Sequence, residues 1–86
     1  MTYSLLPSKR AAGELASLPR DVIVRVDRAI LVLTEDPRPP GCKKLKGKFR
    51  EGYRIRVGDY RVLYLVDDTQ HMVSIYRVGH RRGVYD

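Results

Sequence analysis

The sequence predicts a small α+β domain: an antiparallel sheet of about four strands with an N-terminal two-helix hairpin on one face, in the order β-α-α-β-β-β. Three observations predict it. Apolar residues recur at helical spacing as far as Thr34, and prolines then crowd positions 37, 39 and 40. Beyond them the residues alternate as strands do, about turns at Gly58-Asp59 and Asp67 to Gln70. At 86 residues the chain makes a single domain over 1–86.

Thr2 to Leu6 reads as a short strand. From Ser8 to about Ser17, Ala11, Ala12 and Leu15, followed by Leu18, keep helical spacing. Pro19 interrupts, and its fixed φ suits the first turn of a second helix, with Ser17 or Leu18 near the cap. That helix runs to about Thr34 with Val22, Ile23, Val26, Ile30 and Leu33 as one stripe. Its β-branched residues are weak helix formers, so packing must hold it. Pro37 to Gly41 is an extended connector, because proline breaks helices and restricts its predecessor. Strands follow at Tyr53 to Val57, Tyr60 to Val66 and Met72 to Val78.

A two-residue loop at Gly58-Asp59 sets Val57 opposite Tyr60, Arg56 opposite Arg61, Ile55 opposite Val62, Arg54 opposite Leu63 and Tyr53 opposite Tyr64. Alternation then places Tyr53, Ile55, Val57, Tyr60, Val62, Tyr64 and Val66 on a face that can receive the helices. Arg54, Arg56 and Arg61, with Leu63 and Leu65, share the other. A slip of one residue would bury the arginines, so this register is preferred. Like charges directly opposite on a sheet repel. A cluster kept despite that cost suits phosphate, which the guanidinium fork grips with two bonds.

The whole-chain charge of +7 is concentrated. Residues 43–61 carry Lys43, Lys44, Lys46, Lys48, Arg50, Arg54, Arg56 and Arg61 against Glu51 and Asp59, a net +6, while 1–42 net +1 and 62–86 net zero. A single-sign block attracts a polyanion, nucleic acid before an acidic protein. Surface solubility is the plainer account of the same charge. No apolar run nears the ~18 residues of a membrane span. The N-terminus MTYSLLPSKR has no signal-peptide pattern, so a cytoplasmic location is expected. Cys42 is the single cysteine, and with no activating base near it in sequence it is read as a thiol without catalytic duty. No ligand spacing indicates a metal or cofactor, and His71 reads as a surface residue.

The C-terminal VGHRRGVYD brings His80, Arg81, Arg82 and Tyr85 past the last strand. With KLKGKFREGYRIRVGDYRVLYLVDD before it, this stretch resembles the RelE/ParE superfamily of toxins from type II toxin–antitoxin modules, on its RelE branch. The likeness runs over nearly the whole chain: opening strand, helical hairpin, P-x-x-G connector, K-L-x-G, Y-R-I-R, D-Y-R-V-L-Y and V-G-H-R-R-x-V-Y. It implies a curved sheet and a ribosome-dependent endoribonuclease that cuts mRNA in the A site. The implied partners are a cognate antitoxin protein, mRNA on the 70S ribosome and operator DNA reached only through the antitoxin complex; no membrane is involved. The family's functional positions fall on Arg54, Arg56, Arg61, Arg81 and Tyr85. Its prototype carries lysines where Arg54 and Arg56 stand, and it extends further past the tyrosine.

The implied chemistry is metal-independent: the 2′-OH attacks phosphorus, leaving a 2′,3′-cyclic phosphate. Arginines stabilise the added charge but stay protonated, so base and acid work is assigned to Tyr85 and His80. Lys43, Lys44, Lys46, Lys48, Arg50 and Arg82 are expected to hold RNA backbone. Tyr76 either stacks a base or closes the core edge. The rival is a ParE-like toxin that inhibits DNA gyrase by protein–protein binding; a third reading is an RNA-binding module without turnover.

Overall fold

The computed structural model describes residues 2–47 and 51–85. Its elements run β1 (Ser4–Pro7), α1 (Lys9–Ala16), α2 (Arg20–Glu35), β2 (Lys43–Lys44), β3 (Tyr53–Val57), β4 (Tyr60–Asp67) and β5 (Met72–His80). Ser8 caps α1 by accepting the Ala11 N–H at 3.0 Å, which satisfies an otherwise orphaned donor. Pro19 is itself the N-cap of α2, one residue beyond the expected cap and without a side-chain bond. The helix stops at Glu35 because Asp36 precedes Pro37 and is driven into the extended region.

The α+β class and the two helices on one face hold, but the sheet is larger and mixed. Its five strands lie in the order β1-β5-β4-β3-β2, with β1 parallel to β5 and the other pairs antiparallel. The additional strand, β2, is two residues long, too short to show a period. The direction of β1 was not legible because it pairs with the strand furthest from it in sequence.

The β3–β4 register is the one the two-residue loop requires, pair for pair. Tyr64, Val62, Val26, Leu33 and Val73 are fully enclosed between sheet and helices. Tyr53, Val57, Tyr60 and Val66 pack at the margin of that core, as alternation placed them. Opposite β5, Leu63 pairs with Arg77 and Tyr64 with Ile75, so Tyr76 is an extra residue between two successive pairs of the ladder. This bulge resets the alternation. Ile75 and Val78 both face the core although three positions apart. Gly79 then falls opposite Arg61 on the open face, and His80 opposite Tyr60 on the helix side.

Candidate nucleic-acid interface

Two rows of side chains cross the open face. Arg56, Arg61 and Gly79 form one; Lys43, Arg54, Leu63 and Arg77 form the other. Directly paired residues point to the same side, with Cβ atoms about 4.5–5.5 Å apart. The sheet therefore gathers Arg54, Arg56 and Arg61 as the alternation predicts, away from the helices.

Their environments differ. Arg56 is exposed. Arg61 is only 8% exposed, and its Nη1 donates to the carbonyls of Gly58 at 3.1 Å and Tyr60 at 3.0 Å. It folds back onto the hairpin turn, which relieves the expected repulsion with Arg56. Arg54 is half-buried; its Nη1 is shut off from solvent and has no hydrogen-bond partner among the described residues. Buried polar atoms are nearly always bonded, so this one asks for an explanation.

The C-terminal turn closes over one side of this face. Gly83 and Val84 donate their N–H groups to the His80 carbonyl at 2.9 and 3.0 Å. Val84 is buried against Gly79. Arg81 is drawn to the hairpin turn, its N–H on the Asp59 carbonyl at 2.8 Å and its Nε 3.8 Å from the Asp59 carboxylate. Arg82 is exposed and Tyr85 half-buried in the same turn. His80 is not brought to the arginines. Its ring stands edge-on to Tyr60 at 5.6 Å, and its Nδ1 accepts the Arg82 N–H at 3.2 Å.

Of the lysines, Lys43 joins the open face beside Arg54, whereas Lys44 pairs with Tyr53 and points to the other side. Lys46 is exposed beyond the strand. Lys48 and Arg50 lie outside the described residues. Tyr76 donates its hydroxyl to the Glu51 carbonyl at 2.7 Å, so its ring reaches from β5 towards the start of β3. Among the described residues no group of three or more His, Cys, Asp or Glu side chains could hold a metal ion.

A profile of the ParE toxin of type II toxin–antitoxin systems, parDE, matches residues 5–85. The chain belongs to this toxin family. Its relatives carry RelE-branch names, as the motifs implied. It is 33% identical to toxin RelG of Mycobacterium tuberculosis over 86 residues, covering 99% of this chain and 98% of the relative. Among solved structures it is similar to the archaeal RelE–RelB complex of Pyrococcus horikoshii, with TM-score 0.82, 31% identity, and 98% and 100% of the two chains covered. It is likewise similar to the RelBE2 toxin–antitoxin complex of M. tuberculosis, with TM-score 0.81, 30% identity, and 94% and 100% covered.

On this toxin fold the sequence reading missed Arg25. A Cβ added to Gly58 would lie 2.8 Å from Arg25 Nη2. Gly58 thus serves twice: its φ of +59° suits the turn, and its bare Cα admits a guanidinium from α2. Arg25 sits on the hairpin tip, on the side opposite Arg56. No local pattern distinguishes it from Arg20 or Arg28, because only tertiary packing brings α2 to the tip.

Proposed function

We propose that this toxin is a ribosome-dependent endoribonuclease that cuts mRNA in the ribosomal A site and so stops translation. Arg54 carries the reading. Its Nη1 is enclosed without an acceptor among the described residues, beside Lys43 and near Arg56, on a face no helix covers. A phosphate oxygen is the acceptor that a planar guanidinium takes best, and Arg54 meets it by turning outward from its half-buried seat, where the phosphate neutralises the group as it bonds.

The 2′-oxygen gives up its proton and attacks the adjacent phosphorus as the bond from phosphorus to the 5′-oxygen breaks. The leaving 5′-oxygen takes a proton, and the products are a 2′,3′-cyclic phosphate and a 5′-hydroxyl. Arg54, Arg56 and Arg81 stabilise charge on the phosphoryl oxygens, the contribution that is often largest in catalysis. Arg61 stiffens the turn that carries them and adds its charge from beneath. Arginine does not release its proton, so proton transfer is assigned to Tyr85. His80, held between Tyr60 and the Arg82 N–H, shapes the turn rather than meeting substrate. Lys43, Lys46, Arg82 and Arg25 hold RNA backbone through charge, without reading its sequence.

A cognate antitoxin is the partner this reading requires, as in the two similar complexes. Val24, Leu31 and Val32 on α2 are exposed apolar area that such a chain would cover. Operator DNA is reached through that complex alone. The compartment is the cytoplasm, where ribosomes are, and no helix among the described residues is long and apolar enough to cross a membrane.

Primer extension on programmed 70S ribosomes tests the proposal. The purified toxin is expected to give cuts confined to the A-site codon, ending in cyclic phosphate. Intact mRNA together with inhibited DNA gyrase supercoiling would replace this reading with the gyrase-directed one.

A further inference from the structure

We infer that Glu14 of α1 and Arg77 of β5 form a positioning pair that holds the C-terminal turn, and with it Arg81 and Tyr85, against the open face. The kinetic part of the inference rests on the nuclease reading.

The pair arises from where β1 ends. β1 covers the edge of β5 only as far as the pairing of Pro7 with Ile75, and the Ser8 N–H closes that ladder on the Ile75 carbonyl at 2.8 Å. Past it, the Val78 N–H has no strand to receive it. Glu14 supplies the acceptor, its Oε1 taking that N–H at 3.0 Å. The same carboxylate accepts Arg77 Nε at 3.1 Å and 3.3 Å on its two oxygens. With side-chain exposures of 13% and 24%, Arg77–Glu14 is the best-shielded ion pair among the described residues.

Arg77 also reaches the turn. Its Nη2 lies 3.5 Å from the Gly83 carbonyl, within the turn whose next residue, Val84, is buried over Gly79. The turn is therefore fixed from two sides: Asp59 holds Arg81 at the hairpin tip, and Arg77 holds Gly83 at the sheet edge. A guanidinium holds its nitrogens apart in one plane, so Nε meets Glu14 while Nη2 meets Gly83, and the single nitrogen of a lysine cannot occupy both positions. Without the Glu14 carboxylate the Arg77 fork loses its fixed end, and small displacements of groups near a reacting phosphate cost rate rather than affinity.

Glu14→Gln and Arg77→Met are each expected to lower kcat for A-site cleavage about tenfold with KM kept within about twofold. The double variant should fall about tenfold as well, because both substitutions cut one link. Arg77→Lys should behave like Arg77→Met. In the free proteins, amide exchange at Gly83 and Val84 should quicken while that of Val62 in the core stays unchanged. Unaltered exchange at Gly83 and Val84 in both single variants, a double variant multiplying to about a hundredfold loss, or full rescue by Arg77→Lys would each overturn the pair. If the parent protein cuts no RNA, the nuclease reading falls alone, and exchange still decides whether Glu14 and Arg77 hold the turn.

Discussion

At the end of the sheet away from the hairpin, Arg38 is held on every side. Its two terminal nitrogens donate to the two carboxylate oxygens of Asp68 at 3.2 and 2.7 Å, its Nε donates to the Tyr53 hydroxyl at 3.1 Å, and the group lies 5.2 Å over the Tyr53 ring. Asp68 also accepts the Tyr3 hydroxyl at 2.7 Å. Arg38, and after it Tyr3, hold the Asp68 carboxyl down at about 2, and the same carboxylate raises Arg38 and Tyr3 above their usual values. This network joins β1, the proline connector and the β4–β5 turn. At the hairpin end, Arg56 and Arg25 have neither an ion pair nor a hydrogen bond among the described residues, and Arg54 keeps an enclosed nitrogen unbonded. The hairpin turn binds Arg61 and Arg81 to itself, so the contrast with Arg38 lies in Arg54, Arg56 and Arg25, and on the proposed reading the first two are the groups that meet phosphate.

The sharpest break in that contrast comes from Arg54→Ala. Cleavage should fall by roughly 100-fold or more, the scale of losing a charge-stabilising donor. The thermal midpoint should hold or rise, since an unsatisfied buried cation leaves with the side chain. A rate close to that of the parent would remove the hairpin end from the chemistry.

Tyr64→Phe should give the opposite signature. The Tyr64 hydroxyl donates to the buried Pro37 carbonyl at 2.7 Å, and burial raises its phenol well above the usual value. Losing that donor strands a carbonyl, at about 1–3 kcal/mol. Denaturant titration should show the loss, while cleavage well below the transition stays intact.

A smaller effect is expected from acid. Asp68 titrates at about 2 rather than 3.8. The stability it contributes is whole above about pH 4 and is lost as pH falls towards 2. Asp68→Asn should flatten that stretch of the stability–pH curve, and an unchanged slope would show that the far-end network contributes nothing. Smallest of all, Lys43→Ala should weaken ribosome binding about equally for every codon and make the salt slope shallower by about one unit. A codon-dependent loss would mean that Lys43 reads bases.

The hairpin was legible because its turn length leaves one register, and that register alone puts the three arginines on a common face. Ile55, Val62 and Tyr64 fell on the core side for the same reason. The direction of β1, the two-residue β2 and the bulge at Tyr76 were not legible, since each is decided by a partner far away in the chain. His80 shows the cost: without the bulge, alternation gives no warning that it stands beside Tyr60. The fate of Arg61 was hidden too, because a guanidinium that turns back on its own loop obeys rotamers and carbonyl positions, not sequence period.

The bulge gives β5 one residue more than its ladder with β4 needs. Deleting Tyr76 would join Ile75 directly to Arg77, and Val78, Gly79 and His80 would still face Val62, Arg61 and Tyr60. What the deletion would remove is a tether, the hydroxyl that reaches the Glu51 carbonyl, so the surplus residue lets the last strand moor the start of the hairpin without disturbing the order of its own tail.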